Sequence, residues 1–196
     1  RFQVDRDVGG PPCLEPARRG SPLDAQATLR QLPTARAHRG PDDGGAWIDA
    51  DAGLALGHRR LAVIDVSPAG HQPMVSLSGR YVIVYNGEIY NYQELRVTLE
   101  AAGHKFHSES DSEVLLHALA EWGTKALERL NGMFAFALWD KETRRLMLAR
   151  DRFGVKPLYY YTTDKAIVFS SEIKAIRLHP AFKKGVEPTA LLQYFT

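Results

Sequence analysis

Three consecutive residues, Asn86–Gly87–Glu88, bring a carboxamide, an unhindered backbone N–H and a carboxylate into one short segment. Acyl transfer needs preorganised donors aimed at an oxygen on which negative charge develops, and an amide side chain beside a glycine N–H supplies two. Glycine lets a ligand approach the backbone closely, and the adjacent glutamate can hold an ammonium group. The same tripeptide also reads as a strand-to-helix turn in which Asn and Gly take positive φ. Arg60 lies in His58–Asp65 (HRRLAVID), between two apolar runs. An arginine at a strand end suits a bidentate grip on a carboxylate, or it pairs with a neighbouring acid at the surface. Asp111, within Ser110–Glu113 (SDSE), is placed either to bind an amine or to cap its helix. His38–Asp43 (HRGPDD) reads as a polar loop at a site or as plain turn chemistry.

Other chemistries find no support in the sequence. The seven histidines are scattered, without a His-x-x-x-His pair, so no metal ligation is expected. Neither a Walker-type phosphate loop, nor Gly-x-Gly-x-x-Gly, nor Ser-Gly-Gly-x-Asp-Ser occurs, so nucleotide chemistry is not encoded in these residues. A formal charge of +2 is too small for a dedicated nucleic-acid surface. No run approaches the roughly 20 apolar residues that span a bilayer, and the first residues lack the apolar core of a secretion signal. The single cysteine, Cys13, excludes an intramolecular disulfide framework and makes a reducing, cytoplasmic setting the expectation.

The elements that must position these residues follow from apolar period and breakers. The chain of 196 residues suffices for one domain with a substantial core. Residues 1–37 carry five prolines and no sustained apolar period, and read as a divergent, irregular leader with at most a short helix over 25–32. Leu54–Leu56 and Leu61–Ile64 read as short strands, followed by turn chemistry at Ser67–Gly70. Tyr81–Tyr85 (YVIVY) has the pattern of a strand buried on both faces. Leu95 and Leu99 share a helix face that Gly103 can close, and a second helix starts at Ser110 or Asp111 with Val114, Leu115, Ala118 and Leu119 as its stripe. Met133–Trp139 with Arg145–Ala149, then Leu158–Tyr161 with Ala166–Ser170, read as hairpins. A helix over Ser171–Leu178 and a helical start at Pro188–Tyr194 finish the chain. Helices followed by consecutive hairpins predict an α+β fold with a largely antiparallel sheet.

Taken in order, the motifs HRGPDD (38–43), GHRRLAVID (57–65), SPAGHQPM (67–74), YNGEIYNY (85–92), SDSEV (110–114), LNGMFAFALWD (130–140), ARDRFGVKPLYY (149–160) and SSEIKA (170–175) resemble one family. That family is the N-terminal class II glutamine amidotransferase domain of glutamine-hydrolysing asparagine synthetases. The resemblance covers about residues 36–196. It implies an Ntn-hydrolase-like four-layer αββα sandwich with two mainly antiparallel sheets and glutamine bound at a sheet edge. It implies a glutaminase-like domain over residues 38–186 and, over 187–196, the start of a linker toward an ATP-dependent synthetase domain. By position, Arg60 would hold the glutamine carboxylate and backbone groups around Val63 and Ile64 would line the pocket. Asn86 and Gly87 would form the oxyanion hole, and Glu88 and Asp111 would bind the α-amino group. Glutamine is the partner so implied, with the synthetase domain in the full-length protein and a homodimer as further expectations. The domain itself would need no cofactor, ATP and magnesium belonging to the synthetase part.

One feature departs from the family. Its nucleophile is a cysteine that begins the mature chain and uses its own α-amine as base. Here the first residues are Arg1–Phe2–Gln3–Val4, and Cys13 sits in Pro11–Pro12–Cys13–Leu14–Glu15–Pro16 with no following glycine or apolar run. Cys13 is therefore a weak candidate. The sequence predicts that residues 1–196 alone do not hydrolyse glutamine. The rival expectation is a non-catalytic glutamine-binding or scaffold and dimerisation module, as in β-lactam-synthetase-like relatives.

Overall fold

The computed structural model describes residues 13–14, 43–60, 70–164, 166–180 and 182–185. The expected helices over 25–32 and 188–194 and the strand over 61–64 lie outside these residues, as do the proposed linker over 187–196 and most of the leader. The core is a five-stranded sheet in the order β1-β7-β6-β5-β4. Its strands are β1 (Cys13–Leu14), β4 (Met74–Val75), β5 (Tyr81–Ile89), β6 (Gly132–Asp140) and β7 (Arg145–Arg150), all paired antiparallel. A second pair, β2 (Asp43–Asp49) and β3 (Leu54–Arg60), and a third, β8 (Tyr159–Thr162) and β9 (Ile167–Ser170), are also antiparallel. The helices are α1 (Tyr92–Ala101), α2 (Asp111–Trp122) and α3 (Ile173–Ile176), with a 3₁₀ turn over Gly123–Glu128. Among the described residues, no helix is long and apolar enough to cross a membrane.

Successive strand residues face opposite sides of a sheet, and that alternation builds two cores here. Ile83, Tyr85 and Ile89 of β5, with Phe134, Phe136, Leu138, Met147 and Ala149, pack against Leu95 and Leu99 of α1 and Val114, Leu115, Ala118 and Leu119 of α2. The residues between them, Val82, Ala137, Trp139, Leu146 and Leu148, bury the other face with Leu56 of β3, and Phe169 and Ile167 of β9 pack against that cluster. One face of the sheet thus carries helices and the other carries strands, while α3 packs on β8 and β9. This is the α+β, largely antiparallel arrangement that the hairpin pattern predicts.

Several boundaries differ from the sequence reading. The strand expected to stop at Tyr85 runs on to Ile89, because β6 offers a partner to every residue from Tyr81↔Asp140 to Ile89↔Gly132. Ladder pairing there overrides the low strand propensity of Asn-Gly. The strand expected over Leu54–Leu56 continues through the charged group to Arg60, paired with a β2 whose Gly44–Gly45 concealed it. A β carbon on Gly45 would meet the Gln72 carbonyl and, at 2.6 Å, the His71 ring, so the glycine answers a close approach. Cys13–Leu14, inside the segment expected to be irregular, pairs with Met147 and Leu146. A two-residue edge pairing uses backbone groups and leaves no pattern in side chains. Gly103, at φ 96°, closes α1 as expected.

Candidate active site

Asn86, Gly87 and Glu88 lie within β5, not in a turn beyond it, and Gly87 does not adopt positive φ. The turn reading of this tripeptide is therefore set aside. Alternate N–H groups of β5 point to opposite edges, and the hydrogen bonds at its two ends fix which. Even-numbered positions serve the β6 side: Tyr90 N–H donates to the Asn131 carbonyl at 2.7 Å and Lys141 N–H to the Arg80 carbonyl at 3.0 Å. Odd-numbered positions face the other edge, where Ser76 N–H donates to the Tyr81 carbonyl at 2.9 Å. Strand β4 covers this edge only as far as Met74↔Ile83. Beyond it, side chains take over the ladder. Tyr85 N–H donates to Gln72 Oε1 at 2.6 Å, and Ile89 N–H donates to Asp111 Oδ2 at 3.0 Å. Between them Gly87 N–H faces the same edge and meets no acceptor among the described residues.

The glycine is also demanded by packing. A β carbon at position 87 would meet the Met133 carbonyl, the Tyr85 ring at 2.7 Å and Phe134 Cα at 2.8 Å. Across the ladder a β carbon on Gly132 would meet the Glu88 carbonyl and, at 2.9 Å, Ile89 Cα. Asn86 and Glu88 project on the opposite face from Tyr85 and Ile89, the face that carries β3. Both are partly exposed, and neither side chain forms a hydrogen bond among the described residues.

Asp111 is the first residue of α2, and Ser110 is the N-cap, its hydroxyl accepting from Glu113 N–H at 3.3 Å. The capping role open to Asp111 thus falls to its neighbour. Buried Asp111 instead accepts on Oδ2 from the Tyr85 hydroxyl at 2.7 Å as well as from Ile89 N–H. Burial, reinforced by the Asp111 charge and bond, pushes the Tyr85 hydroxyl far above its ordinary value, so it stays protonated and donates. Gln72 Nε2 makes a long contact of 3.5 Å with Ser112 Oγ, tying the start of the same helix to the same edge. The connection before α2 is held by Glu113, whose carboxylate accepts from Ser108 N–H and Oγ at 2.7 Å each and from His107 N–H at 3.0 Å. Burial alone would raise this carboxyl, yet these donors hold it below its ordinary value of 4.5.

The other expected residues fall differently. The backbone of Arg60 ends β3 opposite Asp43, so the HRGPDD and GHRRLAVID motifs meet at one end of the β2–β3 hairpin. Val63 and Ile64 lie outside the described residues, as does HRGPDD up to Asp42. Cys13 lies on the far side of the sheet from β5. Its register runs Cys13↔Met147↔Leu138↔Ile83, three strand spacings across and four residues along from Gly87. At strand spacings of about 4.8 Å and about 3.4 Å per residue, its backbone is roughly 20 Å from Gly87. The sequence reading missed Gln72 and Tyr85 as organisers of the edge, since nothing distinguishes either from an ordinary polar or core residue.

A strand-edge N–H and a neighbouring carboxamide, neither with a partner among the described residues and flanked by side-chain acceptors, form an arrangement suited to holding a carbonyl oxygen. The model of the family described as "Glutamine amidotransferase domain" matches residues 17–196. The chain belongs to that family. Asparagine synthetase [glutamine-hydrolyzing] 3 of Bacillus subtilis (strain 168) is 44% identical over 175 residues, covering 88% of this chain and 28% of the relative. Asparagine synthetase [glutamine-hydrolyzing] 1 of the same organism is 44% identical over 153 residues, or 78% of this chain and 24% of the relative. Amidase chry2 of Gibberella zeae is 39% identical over 168 residues, 84% of this chain and 24% of the relative. The amidotransferase chain thus spans about a quarter of the length of these curated relatives. Among solved structures, the glutamine phosphoribosylpyrophosphate amidotransferase from B. subtilis complexed with ADP and GMP superposes with a TM-score of 0.54 at 28% identity. That match covers 63% of this chain and 29% of the other. The fold is accordingly that of the Ntn-hydrolase amidotransferases.

Proposed function

We propose that this domain binds L-glutamine at the open edge of β5 and presents its side-chain amide for hydrolysis to glutamate and ammonia. The observation that carries the reading is the Gly87 N–H, which meets no acceptor among the described residues while its edge neighbours Tyr85 and Ile89 are occupied. In this reading the Gly87 N–H and the Asn86 carboxamide hold the oxygen of the amide as it becomes an oxyanion. A thiolate adds to the amide carbon, ammonia leaves with a proton from the nucleophile's amine, and water cleaves the resulting thioester to give glutamate. Glu88 and Asp111 bind the α-ammonium group, Arg60 binds the α-carboxylate, and backbone around Val63 and Ile64 lines the pocket. In the full-length protein a synthetase domain, supplied with ATP and magnesium, consumes the ammonia to amidate aspartate. The high identity to glutamine-hydrolysing asparagine synthetases supports that acceptor, and a cytoplasmic setting accords with a single cysteine.

A second reading has its own support. Cys13, the one cysteine of residues 1–196, has its backbone in β1, three strand spacings from β5, which speaks against it as the nucleophile. A glutamine-binding or scaffold module would need no thiolate. Calorimetry with L-glutamine alongside an ammonia assay separates the two: binding with ammonia release supports the amidotransferase, and binding without release supports the module. In the active full-length protein, Asn86→Ala should lower glutaminase turnover by about two to three decades, the usual cost of one oxyanion donor. Unchanged turnover would remove Asn86 from the reaction.

A further inference from the structure

Resting on the glutamine-site reading, we infer that Tyr85 is a positioning residue for recognition of the α-ammonium group, turning the Asp111 carboxylate so that its Oδ1 faces the ligand. Asp111 Oδ2 receives two donors, the Tyr85 hydroxyl at 2.7 Å and Ile89 N–H at 3.0 Å. Oδ1 receives none among the described residues. Two donors on one oxygen fix rotation about the carboxylate bond and leave the lone pairs of the other oxygen for a cation. A carboxylate held by Ile89 N–H alone would lose one of the two bonds that define its plane.

Tyr85 is itself held firmly. Its N–H is fixed by Gln72 Oε1, and its ring packs beside Gly87, where Cε2 stands 2.7 Å from the place a β carbon would occupy. The ring is buried in the core beneath α1 and α2, and its hydroxyl reaches Asp111. Gln72 contacts Ser112 beside Asp111, which closes a loop of contacts Gln72–Tyr85–Asp111–Ser112. One tyrosine thus couples two parts of the site, its backbone bracketing the open N–H and its hydroxyl aiming the carboxylate.

The test compares two ligands that differ only in the group Asp111 would bind. Wild type and Tyr85→Phe are titrated calorimetrically, as the full chain, with L-glutamine and with glutaramate, which is glutamine without its α-amino group. Phenylalanine keeps the ring and removes only the donor. Glutamine affinity should fall on the order of tenfold, as for loss of a charge-assisted hydrogen bond, with glutaramate affinity unchanged. Equal weakening of both ligands, or of neither, overturns the inference and leaves the glutamine site standing. No binding of glutamine by the wild type overturns that reading and the inference together. Should the variant not fold, proton NMR of the wild type decides. The Tyr85 hydroxyl should give a slowly exchanging resonance that glutamine shifts and glutaramate does not, and equal response to both ligands contradicts the inference.

Discussion

Replacing Gly87 by alanine separates a glycine kept for space from one kept for any other reason. Without a clash, alanine in a strand interior is favoured over glycine by about 0.5–1 kcal/mol, so the substitution would stabilise. The structure predicts the opposite sign. The added methyl would stand 2.8 Å from Phe134 Cα and 2.7 Å from the Tyr85 ring, and closer still to the Met133 carbonyl. Reaching ordinary contact at 3.4 Å requires Phe134 Cα to retreat by about 0.6 Å. It cannot do so easily, because β6 is paired on both sides, to β5 and to β7. The Tyr85 ring cannot swing away without breaking its bond to Asp111. Overpacking of this kind costs about 1–3 kcal/mol, and two immobile neighbours place the cost near the upper end, about 3 kcal/mol. With a urea dependence of about 2 kcal/mol per molar, the unfolding midpoint should fall by about 1.5 M. Chemical denaturation followed by fluorescence measures it, and glutamine calorimetry on the folded variant should show weakened binding as β5 shifts. A midpoint equal to or above that of the wild type would refute the packing argument and the placement of Gly87 against β6.

Other expectations follow from the carboxylates that organise the site. Glu113→Ala leaves the His107 and Ser108 donors without an acceptor and should cost about 3 kcal/mol, read from thermal unfolding. Asp151 accepts from Val155 N–H at 2.9 Å, Lys156 N–H at 3.0 Å and Phe134 N–H at 3.2 Å, closing its loop onto the residue opposite Gly87. Asp151→Ala should cost a similar amount, about 3 kcal/mol, and raise hydrogen exchange over 152–156. Burial would raise the Asp151 and Glu113 carboxyls, but their donors hold both below their ordinary values of 3.8 and 4.5. Their stabilisation is therefore fully present above pH 4.5 and is lost as pH falls through the lower folded values. His117 is shifted down, first by burial and then by His104, so stability should also decline as pH falls below 6.5. A stability profile flat from pH 7 to 3 would contradict these shifts.

Much of this was legible in the sequence, for physical reasons that differ by element. The alternation in β5, β6 and β7 and the stripe of α2 exposed the core, since burial dictates side-chain type. The order of the motifs pointed to the family because several polar segments recur together. What the sequence concealed is carried by backbone geometry. Strand β2 carries two glycines, Gly44 and Gly45, that show no period, and β4 spans two residues. The extension of β5 through Asn86–Gly87–Glu88 depends on a partner strand more than 40 residues away. Gln72 and Tyr85 act through single bonds to the β5 edge and Asp111, which no spacing rule foretells. Asp111 was legible as a helix-start residue, but not that Ser110 takes the cap and leaves Asp111 to accept from Tyr85 and Ile89.

Among the described residues, the edge of β5 leaves the Gly87 N–H open for a ligand oxygen while its neighbours Tyr85 and Ile89 are occupied. Residue-resolved amide hydrogen exchange tests it most directly. The Tyr85 and Ile89 amides should be protected, the Gly87 amide should exchange about tenfold faster or more, and saturating L-glutamine should slow it toward its neighbours. A Gly87 amide as protected as Tyr85 and Ile89 in the free chain, or one unaffected by glutamine, would contradict the account.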